Sequence, residues 1–525
     1  VTARPYPVDN FRDYLLAAGL TTPDKAAVVE VDAEGVPRPL SYRELTERTD
    51  AYAAALDRLD LEVGDRVIVE AHTSGSAIAA LLACATLGLP FIPVSPDTPD
   101  KRLLTIVELA RPALFLAAEG GVREGLPQEV GTGVFGPGGL TVERAPAPRD
   151  RHRRRPVGTD PAYLIFTSGT TGRPKGVVMS HRANIAFYDG LHAQNVVDPD
   201  DRVAIAAPFH FDLCLGGLAM TLSRGATVVP VPRERLDWPR RFAGFLREAE
   251  VTHVQGVPSI WRMLIRHEPA ELASLELVRR VFFTGEEFPL AELREFQRLL
   301  PGRRVINCYG ATESMAASFT DVPEPLPDDL ERLSIGHAHA GAEWTIHDED
   351  GRPIREVGVT GQIYLRSPAL FSGYWDDPEA TANALVPDPL NPASGQRVLR
   401  TGDLAYRGAT GELYFCGRAD SQVQVRGNRV ELGEVERRIQ EHPRVAAAVV
   451  LLPPRADGQA ELSAFVVMKP GEDPVSLVEL RAFCLETLPA YMAPRDLRVL
   501  SDLPVTANGK ADRKSLAERF FEAVS

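Results

Sequence analysis

The chain has 525 residues, of which 44% are hydrophobic and 25% charged, and carries a formal net charge of −14. At roughly 150 residues per domain, that length exceeds one core and predicts about two to four folded units. The negative balance argues against broad binding to nucleic acid or to anionic membranes, because both need a positive surface to displace or attract counterions.

The chain begins Val1-Thr-Ala-Arg-Pro, which lacks the apolar core of a signal peptide. Five cysteines, Cys84, Cys214, Cys308, Cys416 and Cys484, lie far apart with no C-x-x-C pair. They suggest neither a zinc site nor a disulfide framework, and a reducing cytoplasm is expected. Residues 74–97 form an uncharged stretch up to Asp97, but Gly88, Pro90 and Pro93 would break a membrane helix there. The basic run at 149–155 lies among Pro146, Pro148 and Pro156 and reads as a solvated loop.

Ser41-Tyr-Arg-Glu44 is a capping box, and a helix is expected from it to about Leu59. Leu45, Thr49, Tyr52, Leu56 and Leu59 recur at spacings of 4, 3, 4 and 3 residues, which puts them on one face for packing against a sheet. A strand over 66–69, a helix over 77–86 and a strand over 91–94 continue the alternation. Such alternation predicts a parallel sheet covered by helices. Residues 162–166 read as a buried strand. Beyond it come a helix near 183–193, a strand over 203–206, a helix from Gly217, a strand over 226–231, a helix over 239–248 and a strand over 251–257. This doubly wound pattern extends at least to Tyr309. From Trp344 onward short strands and an Asp350-Gly351 turn predict a small β-barrel-like subdomain or distorted sheet. A boundary is expected at Asp420, dividing a large domain over 1–419 from a small α+β domain over 420–525. The latter is predicted to hold a strand over 422–426, helices over 431–441 and 476–488, and two strands joined through Asp457-Gly458.

The most informative stretch is Leu164-Ile-Phe-Thr-Ser-Gly-Thr-Thr-Gly-Arg-Pro-Lys-Gly-Val177, where an apolar strand breaks into glycines, hydroxyls and one lysine. Backbone N–H groups freed by Gly169, Gly172 and Gly176, the hydroxyls of Thr167, Ser168, Thr170 and Thr171, and the cation of Lys175 suit an anion with several oxygens. Arg173 and Pro174 separate Lys175 from Gly172, so this is not a Walker loop. Polar groups recur at the ends of later apolar strands, where open α/β sheets bind ligands. They are Phe283-Thr-Gly-Glu-Glu287, Asn307-Cys-Tyr-Gly-Ala-Thr-Glu313 and Leu399-Arg-Thr-Gly-Asp403, followed by Asn508-Gly-Lys510 beyond the boundary.

These motifs, in this order from Leu40-Ser-Tyr42 to Lys510, resemble the adenylate-forming superfamily of acyl-CoA synthetases, luciferases and the adenylation domains of nonribosomal peptide synthetases. The resemblance implies joining a carboxylate to the α-phosphate of ATP, release of pyrophosphate, and transfer of the acyl group to a thiol. It implies that residues 167–175 hold the β- and γ-phosphates, that Glu313 holds Mg²⁺, and that Thr312 contacts the α-phosphate. Tyr309 would meet adenine, with Asn307, Gly310 and the Gly285-Glu286 backbone nearby. Asp403 would accept the ribose hydroxyls beside Arg418, and Lys510 would bridge the attacking carboxylate and the α-phosphate. In the family the small domain turns about a hinge, here Asp420. It exchanges the Lys510 loop for a thiol-transfer loop equivalent to Gln424-Val-Arg426-Gly427, and Gln424 stands where lysine or arginine is often found.

Phe211-Asp212 matches the peptide-synthetase pattern in which the carboxylate of Asp212 pairs with a substrate ammonium group. By the same resemblance Leu213, Gly216, Phe282, Thr284, Cys308, Ala316 and Ala317 would line the pocket. None is charged, which points to a small or modest neutral amino acid, α or β. Only 15 residues follow Lys510, so a separate carrier protein bearing phosphopantetheine is the expected acceptor. Pro208-Phe-His210 also occurs in acyl-CoA synthetases and leaves a CoA-forming ligase as the alternative; a catalytically silent nucleotide sensor is a third reading. If Lys510 serves only adenylation, Lys510→Ala abolishes adenylate formation while transfer from a preformed adenylate is damaged less. Single-turnover assays of each half-reaction check this, and parallel loss would contradict the division of labour.

Overall fold

The computed structural model describes residues 10–32, 34–121, 123–148, 155–169, 173–453, 461–504 and 512–521. By its contacts the chain divides into two units. The larger comprises Val1–Pro96, Ala110–Ile165 and Gly176–Ala419, and the smaller comprises Asp97–Leu109, Phe166–Lys175 and Asp420–Ser525.

The larger unit holds two eight-stranded sheets. In the first, Ala26–Val31, Thr227–Pro230, Arg202–Ile205, His253–Gly256, Arg280–Phe283 and Arg304–Ala311 run parallel, closed at the edges by antiparallel Pro37–Ser41 and Met315–Asp321. In the second, Val67–Glu70 lies parallel between Phe91–Val94 and Leu114–Ala118, with Pro161–Thr167 beyond Phe91–Val94. The central strands are buried on both faces, as a parallel sheet covered by helices requires. One core joins both sheets through the helices Gly75–Leu87 and Asp212–Ser223, which are apolar on almost every side. A second core covers the other face of the first sheet with Pro239–Glu248, Pro258–His267 and Leu290–Leu299, whose buried residues recur at helical spacing. These helices are two-faced; the shared ones are not.

The capping box forms as read. Ser41 accepts the Glu44 N–H at 3.2 Å, and the Glu44 carboxylate accepts the Ser41 N–H at 2.7 Å. The helix it starts spans Tyr42–Asp57, with Leu45, Thr49, Tyr52 and Leu56 buried. It ends before Leu59, which is half-buried. One expectation is corrected: the helix placed from Gly217 begins five residues earlier, at Asp212. Gly216 and Gly217 weaken a helix in isolation, but here burial of Cys214, Leu215, Leu218 and Leu222 outweighs that cost of about 1 kcal/mol per glycine.

Near Trp344 the pattern becomes an antiparallel sheet of Pro353–Ile354, Glu343–His347, Gly361–Arg366, Arg397–Arg407 and Leu385–Pro387, with Leu413–Arg418 paired to Arg397–Arg407. Register shifts at Gln362/Tyr364 and Leu404/Ala405 distort it. In the smaller unit Val445–Leu451, Ser463–Met468 and Asp496–Leu500 form a three-stranded sheet, packed with Leu432–Gln440 and Leu477–Leu485 around one core. The Asp457-Gly458 connection lies outside the described residues. No helix among the described residues is long and apolar enough to cross a membrane.

His181 opens the helix His181–His192, where its Nδ1 accepts the Phe11 N–H at 3.2 Å and its buried Nε2 has no hydrogen-bond partner. Burial pushes its imidazole down to about 4, against the weaker pull of Asp160. The unfolded chain therefore binds the extra proton first. The stability that His181 contributes is complete above pH about 6.5 and is lost as pH falls toward 4, by about 2 kcal/mol at pH 5. Denaturant titrations of wild type and His181→Asn at pH 7 and pH 5 should show the gap between them shrinking by that amount.

Candidate active site

In the larger unit the polar motifs gather where parallel strands end. Arg304–Ala311 carries Asn307, Cys308, Tyr309 and Gly310 and turns tightly into Met315–Asp321. The hairpin shifts register at Tyr309/Gly310, and a Cβ on Gly310 would lie 2.1 Å from the Met315 carbonyl oxygen. Only glycine lets the two strands approach so closely. Thr312 and Glu313 fall in the turn and are buried.

Asp403 is 5% exposed and held from two sides. The Tyr309 hydroxyl donates to Oδ2 and the Arg418 guanidinium to Oδ1. Arg418 also donates to the Thr401 carbonyl at 3.3 Å, and the Asp403 N–H donates to the Thr401 hydroxyl at 3.1 Å. Asp403 and Arg418 face each other across paired strands, so register alone brings the charges together. Burial, and then the Asp403 charge, hold the Tyr309 phenol well above its ordinary range, so it stays a donor. Its ring lies 6.1 Å from Trp344 and 6.2 Å from Phe415. Asn307 donates to the Ser334 carbonyl at 2.9 Å. Gly285 turns with φ at 79°, and the Glu286 carboxylate accepts the Ser259 N–H at 3.1 Å, which leaves the backbone of this pair as its part of any nucleotide site.

The residues expected around an amino acid also lie in this unit. Asp212 sits in the first turn of Asp212–Ser223, where the helix dipole favours a negative charge, and its Oδ1 accepts the Leu213 N–H at 2.9 Å. Its negative charge adds to burial in raising the Cys308 thiol and the Tyr163 phenol. Burial pushes the Cys308 thiol up to about 12, which keeps it inert. Phe282 packs on Phe319 with ring centroids 5.9 Å apart, Thr284 donates its N–H to Gly256, and Ala317 is buried while Ala316 is half-buried. A Cβ on Gly216 would meet nothing within 4 Å. One polar residue here escaped sequence reasoning. Gln255 is 2% exposed, donates to the Leu213 carbonyl at 3.2 Å, and leaves its Oε1 without a partner. The signal was an amide between Val254 and Val257 in a segment read as a core strand, which an inward-facing site can explain.

The remaining expected residues group with the smaller unit. Ser168 donates to the Arg429 carbonyl at 3.1 Å and accepts the Glu431 N–H at 3.2 Å. A Cβ on Gly169 would lie 2.0 Å from the Arg173 carbonyl oxygen, so the loop admits only glycine there. Thr167 closes its strand and Lys175 opens the next, while Thr170, Thr171, Gly172 and Lys510 lie outside the described residues. Gln424, Arg426 and Gly427 occupy a hairpin between Gln422–Val425 and Asn428–Glu431, with Gln424 and Arg426 exposed. Both turn residues have positive φ, 51° and 74°, and Asn428 braces the turn through the Val425 and Arg426 carbonyls at 2.9 Å each. Asp420 accepts the Gln422 N–H at 3.1 Å.

No group of three His, Cys, Asp or Glu among the described residues could hold a metal by itself. A single buried carboxylate such as Glu313 fits instead a magnesium ion that brings phosphate oxygens and waters as its other ligands.

The fold, with its parallel strands, antiparallel sheet and separate smaller unit, agrees with comparisons to known proteins. Residues 17–375 match the AMP-binding enzyme family and residues 434–510 its C-terminal domain, so the chain belongs to that family. It is similar to the crystal structure of IdnL1, at 57% identity and a TM-score of 0.88, covering 95% of this chain and 100% of that one. It is 34% identical to an L-proline–[L-prolyl-carrier protein] ligase of Streptomyces coelicolor, over 91% of this chain and 92% of the ligase. It is also 36% identical to phosphinothricin tripeptide synthetase PhsC of Streptomyces viridochromogenes over 94% of this chain. The chain spans only 44% of that synthetase, and as little as 6% of other relatives of the kind.

Removing the Arg418 charge leaves Asp403 buried and half-compensated. Arg418→Met is therefore expected to cost the larger unit about 3 kcal/mol, and Tyr309→Phe, which removes one hydrogen bond to a charge, about 2 kcal/mol. Urea unfolding followed by tryptophan fluorescence measures both; equal stability of Arg418→Met and wild type would show that the pair does not hold these strands.

Proposed function

We propose that the protein activates the carboxylate of an amino acid with ATP and passes the aminoacyl group to the phosphopantetheine thiol of a carrier protein. In the first step a substrate carboxylate oxygen forms a bond to the α-phosphorus, and the bond from that phosphorus to the oxygen of the departing pyrophosphate breaks. In the second the thiol sulfur, releasing its proton to solvent, bonds to the acyl carbon as the bond from that carbon to the phosphate oxygen breaks and AMP leaves. Such chemistry needs placement and charge neutralisation more than covalent help from side chains.

The observation that carries the amino-acid reading is Asp212, a carboxylate in the first turn of a helix; in this reading Leu213, Phe282, Cys308 and Ala317, none of them charged, line the pocket around it. An ammonium group is the natural partner for that carboxylate, and a neutral side chain suits the rest. The likeness to a carrier-protein ligase along nearly its whole length supports the acceptor. In this reading Asp403 accepts the ribose hydroxyls beside Arg418, Tyr309 offers its face to adenine, and Thr312 contacts the α-phosphate. Residues 167–175 hold the leaving pyrophosphate, and Lys510 bridges the attacking carboxylate and the α-phosphate. A magnesium ion held by Glu313 would neutralise phosphate charge. The smaller unit turns about Asp420 between the steps and offers the hairpin of Gln424, Arg426 and Gly427 to the thiol. The five unpaired cysteines suit work in a reducing cytoplasm.

Pyrophosphate exchange with ATP, Mg²⁺ and a panel of α- and β-amino acids tests this reading. A neutral amino acid should drive exchange above background, and silence across the panel would sink it. Asp212→Ala should raise the KM for the amino acid about 10- to 100-fold, the worth of a charged hydrogen bond, with little change in the KM for ATP. Steady acyl-CoA formation without any carrier protein would favour instead a CoA ligase, the reading that Pro208-Phe-His210 keeps open.

A further inference from the structure

Glu313 is 3% exposed, and a carboxylate so far out of water needs fixed donors to hold one orientation. Its surroundings come from a segment that no functional motif in the sequence marked. The Tyr374 hydroxyl donates to Glu313 Oε1 at 2.7 Å, and the Phe371 N–H donates to the Glu313 backbone carbonyl at 2.8 Å. One short stretch therefore grips the same residue by side chain and by backbone.

That stretch is itself held rigidly. Gly373–Tyr374 is a strand paired antiparallel to Lys175–Ser180, with Gly373 opposite Val178 and Tyr374 opposite Val177. Ser372 donates to the Val178 carbonyl at 2.8 Å and Trp375 to the Gly176 carbonyl at 2.7 Å. The Tyr374 N–H donates to the Thr381 hydroxyl at 2.9 Å, and its ring meets Phe371 edge-on at 4.9 Å. A phenol so anchored has little freedom to follow a carboxylate that swings; the carboxylate must follow the phenol.

We propose that Tyr374 is a positioning residue that sets the orientation in which Glu313 meets the divalent ion of the ATP complex. This rests on the reading of Glu313 as that ion's ligand. An ionised carboxylate can accept about four hydrogen bonds or ligands, so a phenol on Oε1 restrains the group without exhausting it. Partners of this kind typically change metal affinity about 10- to 100-fold when removed.

The test uses the full-length protein with ATP and no amino acid, so that nothing turns over, and Mn²⁺ as the probe, read by electron paramagnetic resonance. Tyr374→Phe should raise the Mn²⁺ concentration that half-saturates the protein–ATP complex about 10-fold, at a temperature where the variant is fully folded and with unchanged ATP binding in the absence of metal. In pyrophosphate exchange the Mg²⁺ requirement should rise in step while the rate at saturating Mg²⁺ recovers. Should Tyr374→Phe fold poorly, Thr381→Val, which removes the acceptor of the Tyr374 N–H, should show a smaller shift in the same direction. Glu313→Gln separates the two levels of inference. If it weakens Mn²⁺ binding and Tyr374→Phe does not, the role of Tyr374 is overturned and the Glu313 assignment stands. If neither variant moves it, the Glu313 assignment itself fails.

Discussion

The larger unit depends on keeping one buried carboxylate charged. Asp403 lies where the antiparallel sheet reaches the end of the first parallel sheet, and water does not solvate it there. Breaking a buried pair of this sort costs about 3 to 5 kcal/mol, so the structure is bound to keep donors on both oxygens. Arg418 comes from the neighbouring strand and Tyr309 from the parallel sheet. The carboxylate thus ties two sheets together, and the register of Arg397–Arg407 against Leu413–Arg418 cannot slip without separating the charges.

Glu313 presents the same problem with a different answer. It lies in a turn rather than on a strand, so no cross-strand neighbour can restrain it, and the donor comes from Tyr374 on a two-residue strand. Both carboxylates use a tyrosine hydroxyl, which brings a hydrogen bond without a second full charge. A lysine or arginine beside Glu313 would compete with any cation, whereas a phenol leaves the negative charge available.

Local chemistry was legible where it acts locally. Ser41 and Glu44 satisfy each other three residues apart, and the helix over 239–248 carries its apolar face at helical spacing, so both were readable from the chain. The helix Asp212–Ser223 was misread at its start because its two glycines argue against helix and its apolar residues surround it. Its burial between two sheets is a property of the whole fold and leaves no one-sided periodicity in the chain. Gln255 and Tyr374 were missed for a related reason: an amide in a strand or a tyrosine on a two-residue strand gains meaning only from its partners, Leu213 and Glu313, far away in sequence.

The sequence by itself determined the alternation of strands and helices, the polar motifs at strand ends and the family to which they point. Those signals survive because turn chemistry, capping and periodicity act over a few residues. Only the tertiary structure decided that Asp403 is clamped between Tyr309 and Arg418, that Gln255 donates to the Leu213 carbonyl, and that Glu313 leans on Tyr374. Each of these depends on which distant segments exclude water from a charge, and that exclusion is a collective result of packing which no short stretch of chain encodes.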